Sequence, residues 1–505
     1  MARAREGRAG LPKIASMRSG RWVPLRAMSG QSVRTRFAPS PTGRLHMGNV
    51  RTALFNFLAA RAGGGDFLIR SEDTDSSRSE ERWLIEAMSE LAWLGMDWDE
   101  GPDRGGARGP YRQSERAEIY ARALDRLKSA GAAYPCFRTE EELADHRRAQ
   151  IAAGRPPRYD REWARLDGDE VRRREAAGHA PVWRFSVPSG RTLAWQDLLR
   201  GPQQVSSDEI ADFILVRSDG SPGFMFGNAL DDALMGISHV LRGEDHTSNT
   251  PRQLMILEAL GLEAPRYGHL SLVVSPEGQP LSKRAGSEGL ADLRGEGYLA
   301  SAVANYLARL GHGLDGDDPL DMRGLAAGFD VGRLSTSPAR FDHEQLDHWQ
   351  HKAVMAAQDS ELADWAGDGL APVPASDRAD FLELVRPNVQ RPEELAFWAR
   401  CLYGSDRIEP SAGNREVLEV AGPAFFSAAA AQAGGGLDAI ATGVREATGA
   451  KGRALFLPLR VALTGQGDGP ELRPMLALMP EAKVRERFER WSGAADDPGP
   501  ANHRE

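Results

Sequence analysis

Cysteine is nearly missing from this chain: 505 residues include two, Cys136 and Cys401, some 265 positions apart. A disulfide framework is thereby excluded, and so is any cysteine-rich zinc site. Long apolar runs are missing too. The longest, such as "ALFLPLRVAL", are broken by Pro or Arg and fall short of the ~20 residues that a membrane-crossing helix needs. No internal repeat recurs. Nor is there a basic excess. A net charge of −9 argues against a protein coated in nucleic acid, while leaving room for a local basic groove. These absences read as a cytoplasmic globular protein. The length exceeds what a single hydrophobic core serves, so roughly two to four domains are expected.

The first 31 residues differ from the rest. "MARAREGRAGLPKIASMRSGRWVPLRAMSG" is rich in Arg, Ala and Gly and nearly free of acids. It reads either as an Arg-rich transit segment or as a disordered leader, with Met17 or Met28 as alternative starts. The second reading is adopted.

After it, "SVRTRFAPS" alternates like a short strand. Val50 to Ala62 has apolar residues at helical spacing and ends in "GGG". "DFLIRSEDTD" is a buried-looking strand ending in acids, and "SEERWLIEAMSELAWLG" is a helix opened by Ser79 and closed by Gly95. Strand, helix, strand, helix implies a parallel α/β sheet, with a ligand at the carboxyl ends of its strands. From about Tyr111 the pattern loosens. "RAEIYARALDRLKSAG" is an amphipathic helix, and "APVWRFSVPSGRTLAWQDLLRG" reads as short strands, together an insertion into the sheet domain. "DFILVRSDGSPGFMFGNALDDALMGISHVLRGED" returns to β character. Beyond about Ser287 the chain is mostly helical, broken by a Gly/Asp loop near Gly313 to Asp318, and a helical domain is expected from about Ala356. The last dozen residues read as disordered.

Chemistry concentrates at two places. In "APSPTGRLHMGN", Pro39 and Pro41 fix φ while Gly43 and Gly48 allow backbone that other residues avoid. The turn leads into a helix whose free N–H groups favour an anion, and His46 can donate to a phosphate oxygen. Far downstream, "QPLSKRAG" sets Lys283 and Arg284 between Pro and Gly. Two adjacent cations on a loop suit a leaving pyrophosphate, whose charge rises in the transition state. Alone, the turn could equally be a surface loop, and the Lys-Arg pair is a weak signal, since most such pairs are simply solvated.

The two together, "SPTGRLHMGN" followed by "PLSKR", resemble the paired signature of class I aminoacyl-tRNA synthetases, HIGH and KMSKS in generic form. "TRFAPSPTG", "IRSEDTD" and "HVLRGEDHTSNTPRQ" look like the glutamyl-tRNA synthetase family, and "GRALFLPLRVALTG" extends the resemblance into the C-terminal part. The resemblance implies an α/β fold: a class I Rossmann-type parallel sheet with an inserted α+β acceptor-end domain, followed by an all-α anticodon-binding domain. The implied boundaries are 32–114 and 225–272 for the catalytic halves, 115–224 for the insertion, 273–355 for a stem-contact segment and 356–505 for the helical domain. It also implies ATP-dependent glutamylation of tRNA(Glu), of tRNA(Gln), or of both, by a monomer, with Mg²⁺ accompanying the nucleotide.

Carried onto matching positions, the family pattern gives Arg36 and Arg242 to glutamate's side-chain carboxylate, Glu72 to its ammonium, and Ala38, Ser40, Phe224 and Asn228 to the same pocket. Guanidinium forks suit a carboxylate. Pro39, Gly43, His46, Gly48, Asn49, Asp245, Ser282 and Lys283 fall to ATP, and His46, Gly48, Lys283 and Arg284 to catalysis. The Arg-rich "HRRAQIAAGRPPRYDREWAR" and "VRRREAAGH" would meet the tRNA acceptor end. Departures exist. Asn49 replaces the motif's second His, Pro280 the first Lys of the second motif, and Phe224 a position that is often Tyr. Cys136 of "YPCFR" stands alone, with Arg138 where another zinc ligand would be, so no protein-bound zinc is expected. "RFDHEQLDHWQHKAV" departs from the commonest form and keeps a duplicated, tRNA(Gln)-preferring copy in view. The alternatives are a short paralogue that modifies a tRNA base, a glutaminyl enzyme, and a non-catalytic RNA-binding paralogue.

If the loop serves the triphosphate, Lys283→Ala should slow adenylate formation on the order of 100-fold with tRNA affinity nearly unchanged. Rapid-quench kinetics and filter binding measure the two; equal losses in both would remove the assignment.

Overall fold

The sheet that carries the site is built from short parallel ladders rather than one continuous one. The structure, a computed structural model, describes residues 32–75, 77–155, 157–279 and 289–493. Strand β1 (Thr35–Phe37) pairs in parallel with β2 (Phe67–Ile69), and between them runs helix α1 (Met47–Ala62). Val50, Ala53, Leu54, Phe57 and Leu58 of α1 are all buried, together with Phe55 and Asn56 from its other faces. A helix buried all round belongs in a core, not on a surface. The "GGG" stop holds: Gly63 caps α1 and Gly64 has φ +64°. Gly65 is there because a Cβ would lie 1.8 Å from the Val33 carbonyl oxygen. Helix α2 (Glu81–Trp93) begins two residues after Ser79. Glu80 precedes it, its carboxylate bonded to Arg82 and Trp83 instead of the helix's own N–H groups.

The insertion follows. Helix α3 (Ala117–Ser129) leads to β3 (Ala133–Cys136), α4 (Glu140–Ala152), two short helices α5 (Arg161–Ala164) and α6 (Gly168–Ala176), and β4 (Val182–Phe185). A hairpin of β5 (Thr192–Asp197) and β6 (Gly201–Ser206) comes next, then β7 (Ile214–Val216), which completes an antiparallel sheet in the order β3-β4-β7. The stretch read as returning to β character does begin and end in strands, but between them it holds a helix, α7 (Phe224–Leu234). Its Gly and Asn are poor helix formers, which hid it. Burial of Phe226, Ala229 and Leu230 overrides that weak propensity. Phe226 and Leu230 share one apolar core with Tyr120, Leu124 and Phe185 of the insertion and Met255, Ile256 and Leu260 of α8 (Thr250–Leu260).

Strand β8 (His239–Gly243) pairs in parallel with β9 (Arg266–Leu270). It lies beside β1, joined not by a ladder but by a few backbone and side-chain hydrogen bonds, with Asn56 of α1 tying in from behind. Ser238 N–H donates to the Arg34 carbonyl at 2.9 Å, and Arg34 N–H donates to Ser238 Oγ at 2.8 Å. Asn56 Nδ2 donates to the Leu241 carbonyl at 2.9 Å. The chain continues through β10 (Val273–Val274), α9 (Leu290–Gly295), α10 (Ala300–Arg309), α11 (Met322–Gly328), β11 (Ala339–Arg340) and α12 (His343–Ala356). From Asp359 to Glu489 the described regular elements are helices around a second large core that includes Phe381, Trp398, Phe425, Phe426 and Phe488. Among the described residues no helix is long and apolar enough to cross a membrane.

His239 sits on the β1–β8 seam, 8% exposed, with Nδ1 at 2.8 Å from Ser238 Oγ. Burial, helped by Arg266, pushes its pKa down from 6.5 to about 4. The folded value lies below the unfolded one, so the stabilisation is present above pH 6.5 and is lost as pH falls toward 4. The loss is about 3 kcal/mol. The urea midpoint of the native protein should therefore fall between pH 6.5 and pH 4 relative to that of His239→Gln, which carries no ring to protonate; a difference between the two that does not change with pH would contradict it.

Candidate active site

The carboxyl ends of β1, β2 and β8, the turn before α1 and the start of α7 enclose a cavity of about 520 Å³. Arg36, Ala38, Pro39, Ser40, Gly43, His46, Gly48, Asn49, Glu72, Phe224, Asn228, Arg242 and Asp245 all line it. Residues up to 209 positions apart in sequence thus share one wall. Ser282, Lys283 and Arg284, and with them the Pro280 substitution, lie outside the described residues.

The turn is rigid because its carbonyls are used. Pro39 O accepts from Glu72 N–H and Pro41 O from Glu80 N–H, each at 2.9 Å, while Arg70 N–H donates to Phe37 O at 3.0 Å. His46 then caps α1, its Nδ1 accepting from Asn49 N–H at 3.3 Å. With Nδ1 as acceptor the ring proton sits on Nε2, a donor suited to an anion. The sequence suggested that Gly48 leaves bare main chain for a ligand. The structure supplies a nearer reason: a Cβ there would lie 3.0 Å from His46 Cε1, so glycine lets the histidine lie over the helix start.

Behind the turn is a buried charge cluster. Arg36 Nε and Nη2 donate to Asp232 at 3.0 and 3.2 Å. Arg70 Nη1 donates to the same Asp232 at 2.7 Å, and its Nη2 donates to Glu72 at 3.0 Å. Burial opposes the charge of Asp232, yet Arg36 and Arg70 outweigh it and hold the carboxyl below its usual range. Burial likewise opposes the charge on Arg70, and Asp232 with Glu72 more than reverses that. For Glu72 burial wins and the pKa is raised, against Arg70 and Asn228.

Arg242 is different. It donates to Gln253 Oε1 and Thr250 Oγ1 at 2.8 Å each and to His269 Nε2 at 3.2 Å, and its guanidinium lies 4.8 Å from the Tyr267 ring centroid. Among the described residues it makes no salt bridge, and burial pushes its pKa down to about 10. With Glu72 ionised, the three guanidiniums of Arg36, Arg70 and Arg242 face the two carboxylates of Asp232 and Glu72. One positive charge is left over. A buried cation without a carboxylate is costly until an anion arrives, so the Arg242 end of the pocket favours an anionic group.

Asn228, expected beside a ligand, has a second task. Its Nδ2 donates to Glu72 at 2.7 Å and its Oδ1 accepts from Gln253 at 2.8 Å. With Gln253 bonded to Arg242, a chain of amides links the acidic end of the pocket to the basic end. Phe224, 38% exposed, opens α7 with its ring centroid 5.5 Å from that of His246. Asp245 is exposed, 3.7 Å from His246 Nε2. Sequence reasoning missed Arg70, Asp232, Thr250, Gln253 and His269. The one available signal was "ALDDAL", two acids inside an otherwise apolar stretch.

In the insertion, Arg138 stands 4.4 Å from the Trp163 ring centroid, donates to the Trp163 carbonyl at 2.8 Å and pairs with Glu142. Cation–π contact and ion pairs hold this corner together. Among the described residues no group of three or more His, Cys, Asp or Glu stands ready for a metal.

Residues 32–348 match the family described as tRNA synthetases class I (E and Q), catalytic domain, and residues 343–491 match the anticodon binding domain family. Glutamate--tRNA ligase 2 of Alkalilimnicola ehrlichii is 52% identical over 469 residues, 92% of this chain and 98% of that protein. Glutamate--tRNA ligase 2 of Nitrosococcus oceani is 50% identical over 466 residues, again 92% and 98%. A crystal structure of a glutamate tRNA ligase from Elizabethkingia meningosepticum in complex with its amino acid has a TM-score of 0.83 and 29% identity, over 92% of this chain and 99% of that one.

Asp232→Asn should cost about 3–5 kcal/mol, since two buried guanidiniums would then face a neutral amide. Urea unfolding at neutral pH measures it, and native-like stability would mean that the cluster is not held by this carboxylate.

Proposed function

The chain belongs to the class I tRNA synthetases of the glutamate and glutamine group and is a glutamate–tRNA ligase; we infer that its chemistry runs in the cavity at the end of β1, β2 and β8. The observation that carries this reading is the excess positive charge at Arg242. Glutamate has two carboxylates and one ammonium, a net charge of −1, and so complements the pocket. Its side-chain carboxylate goes to Arg242 and to Arg36, of whose three guanidinium nitrogens Asp232 takes two. Its ammonium goes to Glu72, which Asn228 and Arg70 hold in place. Ser40 and the main chain of Ala38 line the same end, and Phe224 packs there without the hydroxyl that Tyr would bring.

ATP lies along the turn. The α1 N-terminus, Asn49 and the Nε2 proton of His46 meet its phosphates, Pro39 and Gly43 shape the wall, and Asp245 faces the nucleoside. Ser282, Lys283 and Arg284 act on the triphosphate. Mg²⁺ neutralises part of the triphosphate charge when bound. Among the residues lining the cavity the carboxylates are those of Glu72 and Asp245, so the chain itself would offer the ion few ligands. A carboxylate already ionised needs no general base, so catalysis is positioning plus charge stabilisation. The α-carboxylate attacks the α-phosphorus, pyrophosphate leaves, and the terminal ribose hydroxyl of tRNA, the 2′-OH in this class, takes the glutamyl group from the adenylate.

The insertion, bounded near 115 and 224, meets the acceptor end, 273–355 contacts the stem, and the helices from about 356 onward read the anticodon. The enzyme works as a monomer in the cytoplasm. A non-catalytic paralogue is not favoured, because every described position of the nucleotide and glutamate sites lies on one cavity wall. Aminoacylation with labelled glutamate on transcripts of tRNA(Glu) and tRNA(Gln) tests the reading, and the ratio of the two rates states which tRNA is charged. Charging of neither, with tRNA binding intact, would overturn it.

Arg242→Lys replaces a three-point fork by a point charge and should lower kcat/KM for glutamate on the order of 100-fold, with KM for ATP nearly constant. Steady-state pyrophosphate exchange in the presence of tRNA measures both, and near-normal use of glutamate would refute the pocket assignment.

A further inference from the structure

Arg242 is fixed by a ring whose protonation pattern is not free. A guanidinium only donates, so His269 Nε2, which receives Arg242 Nε–H at 3.2 Å, must present a lone pair. The Thr250 hydroxyl accepts from Arg242 Nη2 at 2.8 Å and lies 3.1 Å from the same ring nitrogen. The ring proton is therefore on Nδ1, where His269 makes a short hydrogen bond to Asp197 Oδ2. Both side chains are fully buried.

Asp197 does not belong to the catalytic strands. It ends β5, in the inserted segment, and its other oxygen accepts from Leu199 and Arg200 N–H at 3.0 and 2.9 Å, closing the turn "DLLR". That turn is bolted to the sheet. Leu198 N–H donates to the Tyr267 carbonyl at 2.8 Å, Arg200 Nε donates to the His269 carbonyl at 3.3 Å, and Arg200 pairs with Glu244 beside Asp245. Burial opposes the Asp197 charge, but the His269 hydrogen bond and the turn's N–H groups outweigh it and keep the carboxyl below its usual range.

We propose that Asp197 and His269 are positioning residues for glutamate recognition: the Asp197 carboxylate fixes His269 as the Nδ1–H tautomer, so that Nε2 accepts from Arg242 and aims its fork at the substrate's side-chain carboxylate. The proposal rests on the reading of Arg242 given above. It makes part of the amino-acid specificity a property of the inserted segment. With the opposite tautomer, two N–H donors would face each other in a buried site and the guanidinium would have to turn away.

Asp197→Asn tests it in the full-length enzyme. Asparagine keeps the size and the oxygen that closes the turn, while its amide donates to Nδ1 and drives the ring proton to Nε2. KM for glutamate should rise about 10- to 100-fold, the cost of a lost hydrogen bond to a charged group, with KM for ATP and tRNA affinity nearly unchanged. ¹⁵N spectra of the histidine rings should show one ring moving its proton from Nδ1 to Nε2. His269→Gln, whose amide oxygen can replace Nε2 as acceptor, should stay near native, and combined with Asp197→Asn it should restore the glutamate KM. His269→Asn, too short to reach Arg242, should not. Equal loss in the Gln and Asn variants, or a tautomer change without any change in glutamate KM, would overturn the proposal. An unaffected Arg242→Lys enzyme would instead overturn the reading beneath it, since the ring spectra report the tautomer independently.

Discussion

Two adjacent aspartates on one buried helix hold this active site in register. Asp232 binds Arg36 of β1 and Arg70 just past β2, both arginines buried. Asp231, its neighbour in sequence, accepts from Arg116 and Tyr120 at 2.7 Å each and from Gln113 at 2.9 Å. Successive helical residues point about 100° apart, so one short stretch of α7 grips the catalytic sheet on one side and the start of the insertion on the other. Buried ion pairs of this kind add little net stability over apolar packing, but they tolerate only one geometry. Here that geometry is what a charged substrate needs.

The same economy of charge explains the pocket's selectivity. Arg36 and Arg70 are neutralised internally, whereas Arg242 is held by an amide, a hydroxyl and an imidazole. Those groups fix direction without cancelling charge. In the binding mode proposed above, the substrate supplies the missing anion, and the Glu72–Asn228–Gln253–Arg242 chain sets the distance between its ammonium and its side-chain carboxylate. Glutamine, with an amide at that end, would leave the excess charge uncompensated.

The insertion is more than an appendage. Its helix α3 and its sheet share an apolar core with α7 and α8, and its β5–β6 turn lies against β9. The inserted segment is therefore packed directly onto the elements that line the cavity. A rigid connection of this sort lets one side of the enzyme constrain the other through packing and hydrogen bonds, without a separate linker.

The glycines and prolines before α1, the helix after them, the strand leading into "SEDTD" and the helical C-terminal half were legible, because each rests on local chemistry: φ restriction, periodicity, helix stops. The site positions that a motif could name were legible for the same reason. Helix α7 was not, since "FMFGNALDDAL" carries Gly, Asn and two acids that local propensity places outside a helix, and only its packing against α8 and the insertion decides otherwise. Arg70, Asp232, Gln253, His269 and Asp197 were equally invisible. Each acts through a partner between 2 and 196 positions away, and no local pattern encodes that distance. By itself the sequence determined the family and which side chains could meet phosphate and carboxylate, as motifs and residue chemistry are local. The tertiary structure alone decided which buried arginines are paired with carboxylates and that Arg242, among the described residues, is not, because that depends on which carboxylates folding brings within reach.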